Sequence, residues 1–311
     1  MRVHNYYRKW RSDLGCIRHL IVSKNLVFVC AFEPGHYYSP LPDLAEVEKN
    51  AAAIFDTTAK DLDGIVMNEC GQLQLAEDFA KLYAEIPFGK CQTEECRYFF
   101  DNPYFCYGDG VILYSFMRRF LPKKIIEVGS GYSSAAMLDI NERFFERSIH
   151  FTFIEPFPKR LLGLIAQNDR NFLRLEEKSI QLMNPAVFSS LEANDILFVD
   201  SSHVGKIGSD VLHILFEVLP ILRPGVIIHF HDVLWPFEYP RHWVEAGRAW
   251  NEAYYLRAFL QYNANYEILF FNSFMGMHHR ETMTRLLPLF AEDPSRPETE
   301  AKTSLWLRKI V

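Results

Sequence analysis

With 311 residues, 49% hydrophobic and 15% aromatic, the chain can bury a sizeable core, which fits an enzyme better than a tail or a scaffold. Its net charge of −6 comes without a basic block, so neither nucleic acid nor an acidic surface is an expected partner. The six cysteines form no Cys-x-x-Cys pair, which argues against a zinc ribbon and for reduced thiols in a cytoplasmic protein.

In chain order, the first apolar stretch runs from Leu20 to Phe32 and is interrupted by Ser23-Lys24-Asn25. It reads as a hairpin, since a signal peptide or a membrane span would need a longer unbroken run. Apolar residues at i, i+3, i+4 spacing predict amphipathic helices over residues 44–55 and 72–86. Turn-rich segments, Glu33-Pro34-Gly35-His36 and Asp101-Asn102-Pro103, lie beside them. The aromatic run Tyr98-Phe99-Phe100 and Tyr104-Phe105-Cys106-Tyr107 reads as core, with pocket lining as the alternative. A helix over residues 111–120 follows Asp109-Gly110. The chain therefore divides near residue 110. Residues 1–110 form a mixed helical and hairpin extension, expected to act as a lid or an oligomer contact, and residues 111–311 form the main domain.

The most informative stretch is Lys124-Ile125-Ile126-Glu127-Val128-Gly129-Ser130-Gly131-Tyr132-Ser133-Ser134. An apolar run ends in an acid, then Gly-Ser-Gly, then small residues opening a helix. Without Cβ atoms, Gly129 and Gly131 can adopt unusual dihedrals and let a ligand approach the backbone. The free N–H groups at the helix start favour an anionic group.

Beyond this turn, strands are predicted at 124–128, 150–155, 171–176, 195–200 and 225–231, with helices at 133–146, 157–167, 206–220 and 244–261. A sixth strand is expected at 266–271, a helix at 280–290, a polar loop at 292–297 and a seventh strand at 304–309. Alternating strands and helices predict an α/β, Rossmann-like, doubly wound seven-stranded sheet, mostly parallel. Ligands in such sheets sit at the carboxyl ends of the strands. The second strand ends at Glu155, a two-oxygen acceptor suited to a ribose diol. The fourth ends Val199-Asp200-Ser201-Ser202-His203 and the fifth ends His229-Phe230-His231-Asp232. Topology should bring Asp200, His203, His231 and Asp232 together. His229 shares a strand face with His231 and reads as a core histidine.

The blocks Glu127-Val-Gly-Ser-Gly, Phe198-Val-Asp-Ser-Ser-His203 and His229-Phe-His-Asp232 resemble class I S-adenosylmethionine (SAM) methyltransferases. They are closest to the small-molecule O-methyltransferase branch that includes macrolide-sugar and other carbohydrate enzymes. The resemblance covers roughly residues 105–275. It implies cofactor binding by Glu127, Gly129, Ser130, Gly131, Ser134, Glu155, Gln181 and Asp200, with Gln181 at the adenine edge. Tyr107 and Asp109 would approach the methionine end. In catechol-type relatives an acid after strand four and an acid–polar pair after strand five hold a divalent metal. Here that implies Asp200, His231 and Asp232, with an imidazole widening Mg²⁺ to Mn²⁺, Fe²⁺ or Zn²⁺. The base position holds His203, and a histidine titrating near neutrality could take an acceptor proton, with Asp200 beside it.

The expected reaction is therefore methyl transfer to a hydroxyl of a small molecule, with a carbohydrate or glycosylated metabolite as leading acceptor. Residues 235–243, aromatic and proline-stiffened, would form the lid, with Arg241 available for an acidic group. Two alternatives stay open: an NAD-dependent oxidoreductase, disfavoured by the mid-chain turn without a third glycine, and a non-catalytic cofactor-binding protein. A homo-oligomer is compatible with this reading, and no membrane partner is expected.

Overall fold

The computed structural model describes residues 31–292 and 302–311. The hairpin expected before residue 31, Cys16, Cys30 and the loop from 293 to 297 lie outside the described residues. Chain contacts separate two compact units, Met1–Lys49 and Asn50–Val311. In the first, the described part holds a turn closed by the His36 N–H to the Glu33 carbonyl at 3.1 Å, and a helix Leu44–Lys49.

The second unit is built on seven strands: β1 Lys124–Val128, β2 His150–Ile154, β3 Leu173–Glu176, β4 Ile196–Val199, β5 Ile227–Phe230, β6 Tyr266–Phe271 and β7 Leu305–Lys309. Their order is β3-β2-β1-β4-β5-β7-β6, with β1 to β5 parallel and β7 antiparallel to both neighbours. This is the α/β doubly wound sheet expected from the sequence. Strands β4 and β5 are buried at every position, as continuous apolar runs covered on both faces should be. The chain reverses strand order on either side of β1 and β4, so the crevice at their carboxyl ends is the topological switch point.

The helix Tyr107–Phe120 packs its first eleven residues fully inside and carries much of the core. Phe116 stacks on Trp306 of β7 at 3.9 Å between ring centroids. Burial of each such side chain contributes roughly 2–3 kcal/mol.

Several expected helices are broken. The one over 206–220 is an α-turn Asp210–His213, a π-turn Ile214–Val218 and a 3-10 turn Leu219–Ile221. Pro220 has no N–H to continue it. The one over 244–261 is two pieces, Arg241–Glu245 and Glu252–Leu260, because Gly247 turns the backbone at φ +80. Pro288 likewise divides the one over 280–290. The aromatic run is core: Tyr98, Phe100, Phe105 and Tyr107 are buried, and Tyr98 packs edge-on against Phe88.

Candidate active site

At the turn after β1, Gly129 has φ +80, and a Cβ there would sit 1.9 Å from the Asp200 carbonyl oxygen. The turn and the end of β4 thus meet backbone to backbone, which only glycine permits. Gly131 is different: at φ −178 its backbone is extended, and its need is space beside Arg160, whose Cδ would lie 3.0 Å from a Cβ. Of the two glycines singled out, only Gly129 uses the left-handed freedom.

Glu127 lies wholly beneath the turn. Its oxygens accept from the Ser133 hydroxyl at 2.5 Å and from the Ser134 hydroxyl. Ser134 Oγ also accepts from the Gly131 N–H at 3.0 Å. Burial pushes the Glu127 carboxyl up to about 8, and the neighbouring Asp200 charge adds to the rise. Glu127 and Ser134 therefore brace the turn from inside.

Glu155 stands at the rim, accepting from Ser130 N–H at 3.2 Å and Phe157 N–H at 2.7 Å. A carboxylate has further lone pairs for other donors. The Ser130 hydroxyl is buried without a hydrogen-bond partner in the protein. After β3, Gln181 donates to the Gly208 carbonyl at 2.8 Å, while its own Oε1 is buried and unpartnered. An orphaned hydroxyl, an orphaned amide oxygen and a turn with no room for a side chain fit a polar, nucleoside-like ligand.

The predicted cluster is assembled at the ends of β4 and β5. His203 Nε2 is 3.4 Å from Asp200 Oδ1 and 3.6 Å from Asp232 Oδ2. On the other side of the ring, Nδ1 lies 2.9 Å from Glu252 Oε2. Burial alone would lower the His203 pKa, but Asp200, Glu252 and Asp232 outweigh it and hold it well above the ordinary imidazole value. Against the expectation of titration near neutrality, the surrounding carboxylates favour the protonated ring. In turn, His231 and His203 outweigh burial at Asp200 and hold its carboxyl below the usual range. His231 is buried, with Nδ1 3.3 Å from Thr303 Oγ1. Its pKa is raised, burial being outweighed by Asp232, Asp200 and Asp109. His203 and Asp232 both adopt positive φ, +59 and +54, in the left-handed region that His and Asp tolerate better than most side chains.

Asp200, His231 and Asp232 do not form the expected metal set. Among the described residues no three His, Cys, Asp or Glu side chains are arranged to hold a metal ion. The position between the two carboxylates belongs to the His203 ring, and His231 Nε2 stands 3.8 Å from Asp232 Oδ1. The donor set present fits an imidazolium balanced by carboxylates.

Other expected contacts are satisfied within the protein. Asp109 is buried and accepts from Asn272 Nδ2 at 2.7 Å, Ser304 Oγ at 2.6 Å and Thr303 N–H at 3.1 Å, and burial raises its pKa. Tyr107 donates to Asp101 at 2.5 Å. Both tie the helix Tyr107–Phe120 to its surroundings instead of facing a ligand. His229 is a core histidine as expected, stacked on Phe198 at 3.6 Å, with Nε2 2.9 Å from Ser304 Oγ. Burial and the His231 charge hold its pKa well below 6.5.

Residues 235–243 are largely interior: Trp235 and Phe237 are core, and Trp235 Nε1 donates to the Ala59 carbonyl at 2.9 Å. Arg241 pairs with Glu245 at 2.7 Å. Beside the cluster stands Trp250, its ring 4.5 Å from His203 and packed edge-on against Tyr239 and Trp243 of that segment. Trp250 and Glu252 carry no signal of their own within a helix predicted over 244–261; Gly247, which breaks that helix, is the available one.

A methyltransferase-domain model matches residues 126–233 of the chain. An uncharacterised protein of Archaeoglobus fulgidus is 31% identical over 172 residues, spanning 53% of this chain and 76% of that protein. Among solved structures, the SAH-bound methyltransferase PaMTH1 of Podospora anserina is similar at 15% identity and a TM-score of 0.40, covering 88% of this chain and 99% of that one. A CmcI structure with Mg and SAM is similar at 14% identity and a TM-score of 0.40, covering 74% and 84%. Residues 126–233 thus carry a methyltransferase domain, and the glycine turn and the seven-strand order fit the fold of class I SAM-dependent enzymes.

Proposed function

We propose that the chain moves a methyl group from SAM to a hydroxyl of a small molecule, with a carbohydrate or glycosylated metabolite as acceptor class. The observation that carries this reading is the His203 ring held between Asp200 and Asp232 beside the glycine turn. Bound SAM supplies an electrophilic methyl on a sulfonium. Glu155 would accept from the ribose hydroxyls and Gln181 Oε1 from the adenine amino group. Ser130, with Gly129 and Gly131, would line the methionine portion. Asp200 and Asp232 stabilise the charged form of His203, whose Nε2 is the atom available to an acceptor proton. His203 must release its own proton first, so base catalysis gains ground as pH rises above the ordinary imidazole range. The half-buried Trp250 ring beside His203 suits a sugar ring or another flat acceptor. No step in this reading runs through a metal. Among the described residues, Cys70, Cys91 and Cys96 are thiols, which suits a reducing cytoplasm. No helix among the described residues is long and apolar enough to cross a membrane.

The test is calorimetric titration of S-adenosylhomocysteine into the protein, with NAD⁺ as control. Micromolar binding, about −8 kcal/mol, and silence from NAD⁺ are expected. Heat from NAD⁺ alone would make an oxidoreductase the working reading. Binding without turnover across a screen of hydroxylated acceptors would favour a non-catalytic cofactor-binding protein.

A further inference from the structure

Glu252 is the group in the site that neither the sequence blocks nor the reading above puts to use. Its side chain is 2% exposed, an expensive place for a carboxylate unless it serves a partner. Oε2 lies 2.9 Å from His203 Nδ1, and Oε1 accepts from the Ser201 hydroxyl at 2.9 Å. Ser201 Oγ in turn accepts from the His203 N–H at 3.1 Å, closing a loop around the residue. The main chain adds a second grip: the N–H groups of Asn251 and Glu252 reach the His203 carbonyl at 3.0 and 3.2 Å. Asn251 Oδ1 takes the Gly205 N–H at 2.5 Å. The segment carrying Glu252 thus holds both the ring and the backbone of His203 at φ +59.

We propose that Glu252 is the positioning residue of His203: its carboxylate keeps a proton on Nδ1 and so reserves Nε2 for the acceptor. This rests on the reading of His203 as the group that receives the acceptor proton. A neutral imidazole has one N–H, and the nitrogen in hydrogen-bond contact with a carboxylate retains it: Nδ1 is 2.9 Å from Glu252, whereas Nε2 is 3.4 and 3.6 Å from Asp200 and Asp232. Nδ1 faces Glu252, so the lone pair of the neutral ring is on Nε2, the nitrogen turned toward Asp200 and Asp232. Without Glu252 the two tautomers compete. The ring can then place its N–H on Nε2 beside the two carboxylates, which removes the acceptor site. Trp250 against the ring limits the alternative of simply turning the imidazole over.

The test uses the full chain labelled with ¹⁵N-histidine. Long-range ¹⁵N–¹H spectra are recorded above the pH at which the ring loses its first proton, and His203→Ala provides the assignment. In the wild type the proton is expected on Nδ1, shifted downfield by the carboxylate. Glu252→Gln keeps an acceptor oxygen and should retain the Nδ1 proton with less downfield shift. Glu252→Leu, of similar volume with no acceptor, should lose it to Nε2. S-adenosylhomocysteine affinity within about threefold of wild type shows the variants folded. A wild-type proton on Nε2 overturns the proposal without need of any variant, as does an Nδ1 signal unchanged in Glu252→Leu. Should S-adenosylhomocysteine fail to bind the wild type while the Nδ1 signal follows Glu252, the cofactor reading falls and the positioning role stands.

Discussion

Replacing Glu127 with glutamine isolates what a buried acid under the glycine turn does to the whole molecule. The carboxyl is fully enclosed, its oxygens spent on the Ser133 and Ser134 hydroxyls, and burial pushes its pKa from 4.5 to about 8. In the unfolded chain the same group ionises near its ordinary value. Between pH 4.5 and 8 the folded state therefore binds the extra proton, and stability falls as pH rises through that window. The span corresponds to roughly 5 kcal/mol at most, since one pH unit of displacement is worth about 1.4 kcal/mol. Glutamine keeps the shape and an acceptor oxygen but has nothing to ionise. Near pH 4.5 the variant should be about 1 kcal/mol less stable than wild type, the cost of one weakened hydrogen bond. The two curves should cross as pH rises, leaving the variant more stable by a few kcal/mol at pH 8. Urea unfolding followed by tryptophan fluorescence at half-unit steps of pH gives the difference curve, from which all groups common to both proteins cancel. Parallel curves from pH 5 to 8 would refute the reasoning, because they would mean that Glu127 ionises alike in both states.

Three further changes test the frame of the site. Gly129→Ala forces a Cβ to within 1.9 Å of the Asp200 carbonyl oxygen at φ +80, so S-adenosylhomocysteine affinity should fall more than about tenfold and the melting point should drop. Unchanged heat of binding and melting would show that the turn is not built as described. Glu155→Ala removes a charged acceptor at the rim, and loss of charge-assisted bonds worth about 1.5–3 kcal/mol should weaken S-adenosylhomocysteine roughly 10- to 100-fold; calorimetry showing equal affinity would end its ribose role. Arg97 is bidentate to Asp169 at 2.9 and 2.6 Å and reaches Asp139 at 2.6 Å, pinning the aromatic segment to the helix after the turn. Arg97→Met leaves two largely buried carboxylates without their cation, so urea midpoints should report a loss of about 3–5 kcal/mol, and a loss below about 1 kcal/mol would show the cluster to be ornamental.

What could be read from the sequence depends on how local its cause is. The parallel strands show themselves because a strand covered on both faces must be largely apolar, as Ile196–Val199 is throughout and Ile227–Phe230 is but for His229. The polar groups that end those runs are conspicuous for the same reason, so Asp200, His203, His231 and Asp232 could be gathered by topology alone. What they do to one another could not. The spacing from Asp200 to His203 invites a helical reading, yet φ at His203 is +59, and that single backbone choice turns the ring back between Asp200 and Asp232. The third carboxylate comes from Glu252, which stands inside an apolar periodic stretch and carries no local mark of its partner 49 residues earlier. Asp109 shows the same limit in reverse. The family resemblance puts it near the methionine end of the cofactor, but Asn272, Thr303 and Ser304, more than 160 residues downstream, consume its lone pairs. Both failures involve buried carboxylates. Such a group must find donors within the fold, and whether those donors are a ligand, an imidazole or a distant strand is decided by tertiary structure. Asp109 meets strand-end donors and becomes a clasp, whereas Glu252 meets one imidazole nitrogen and thereby fixes which nitrogen of His203 is left for chemistry.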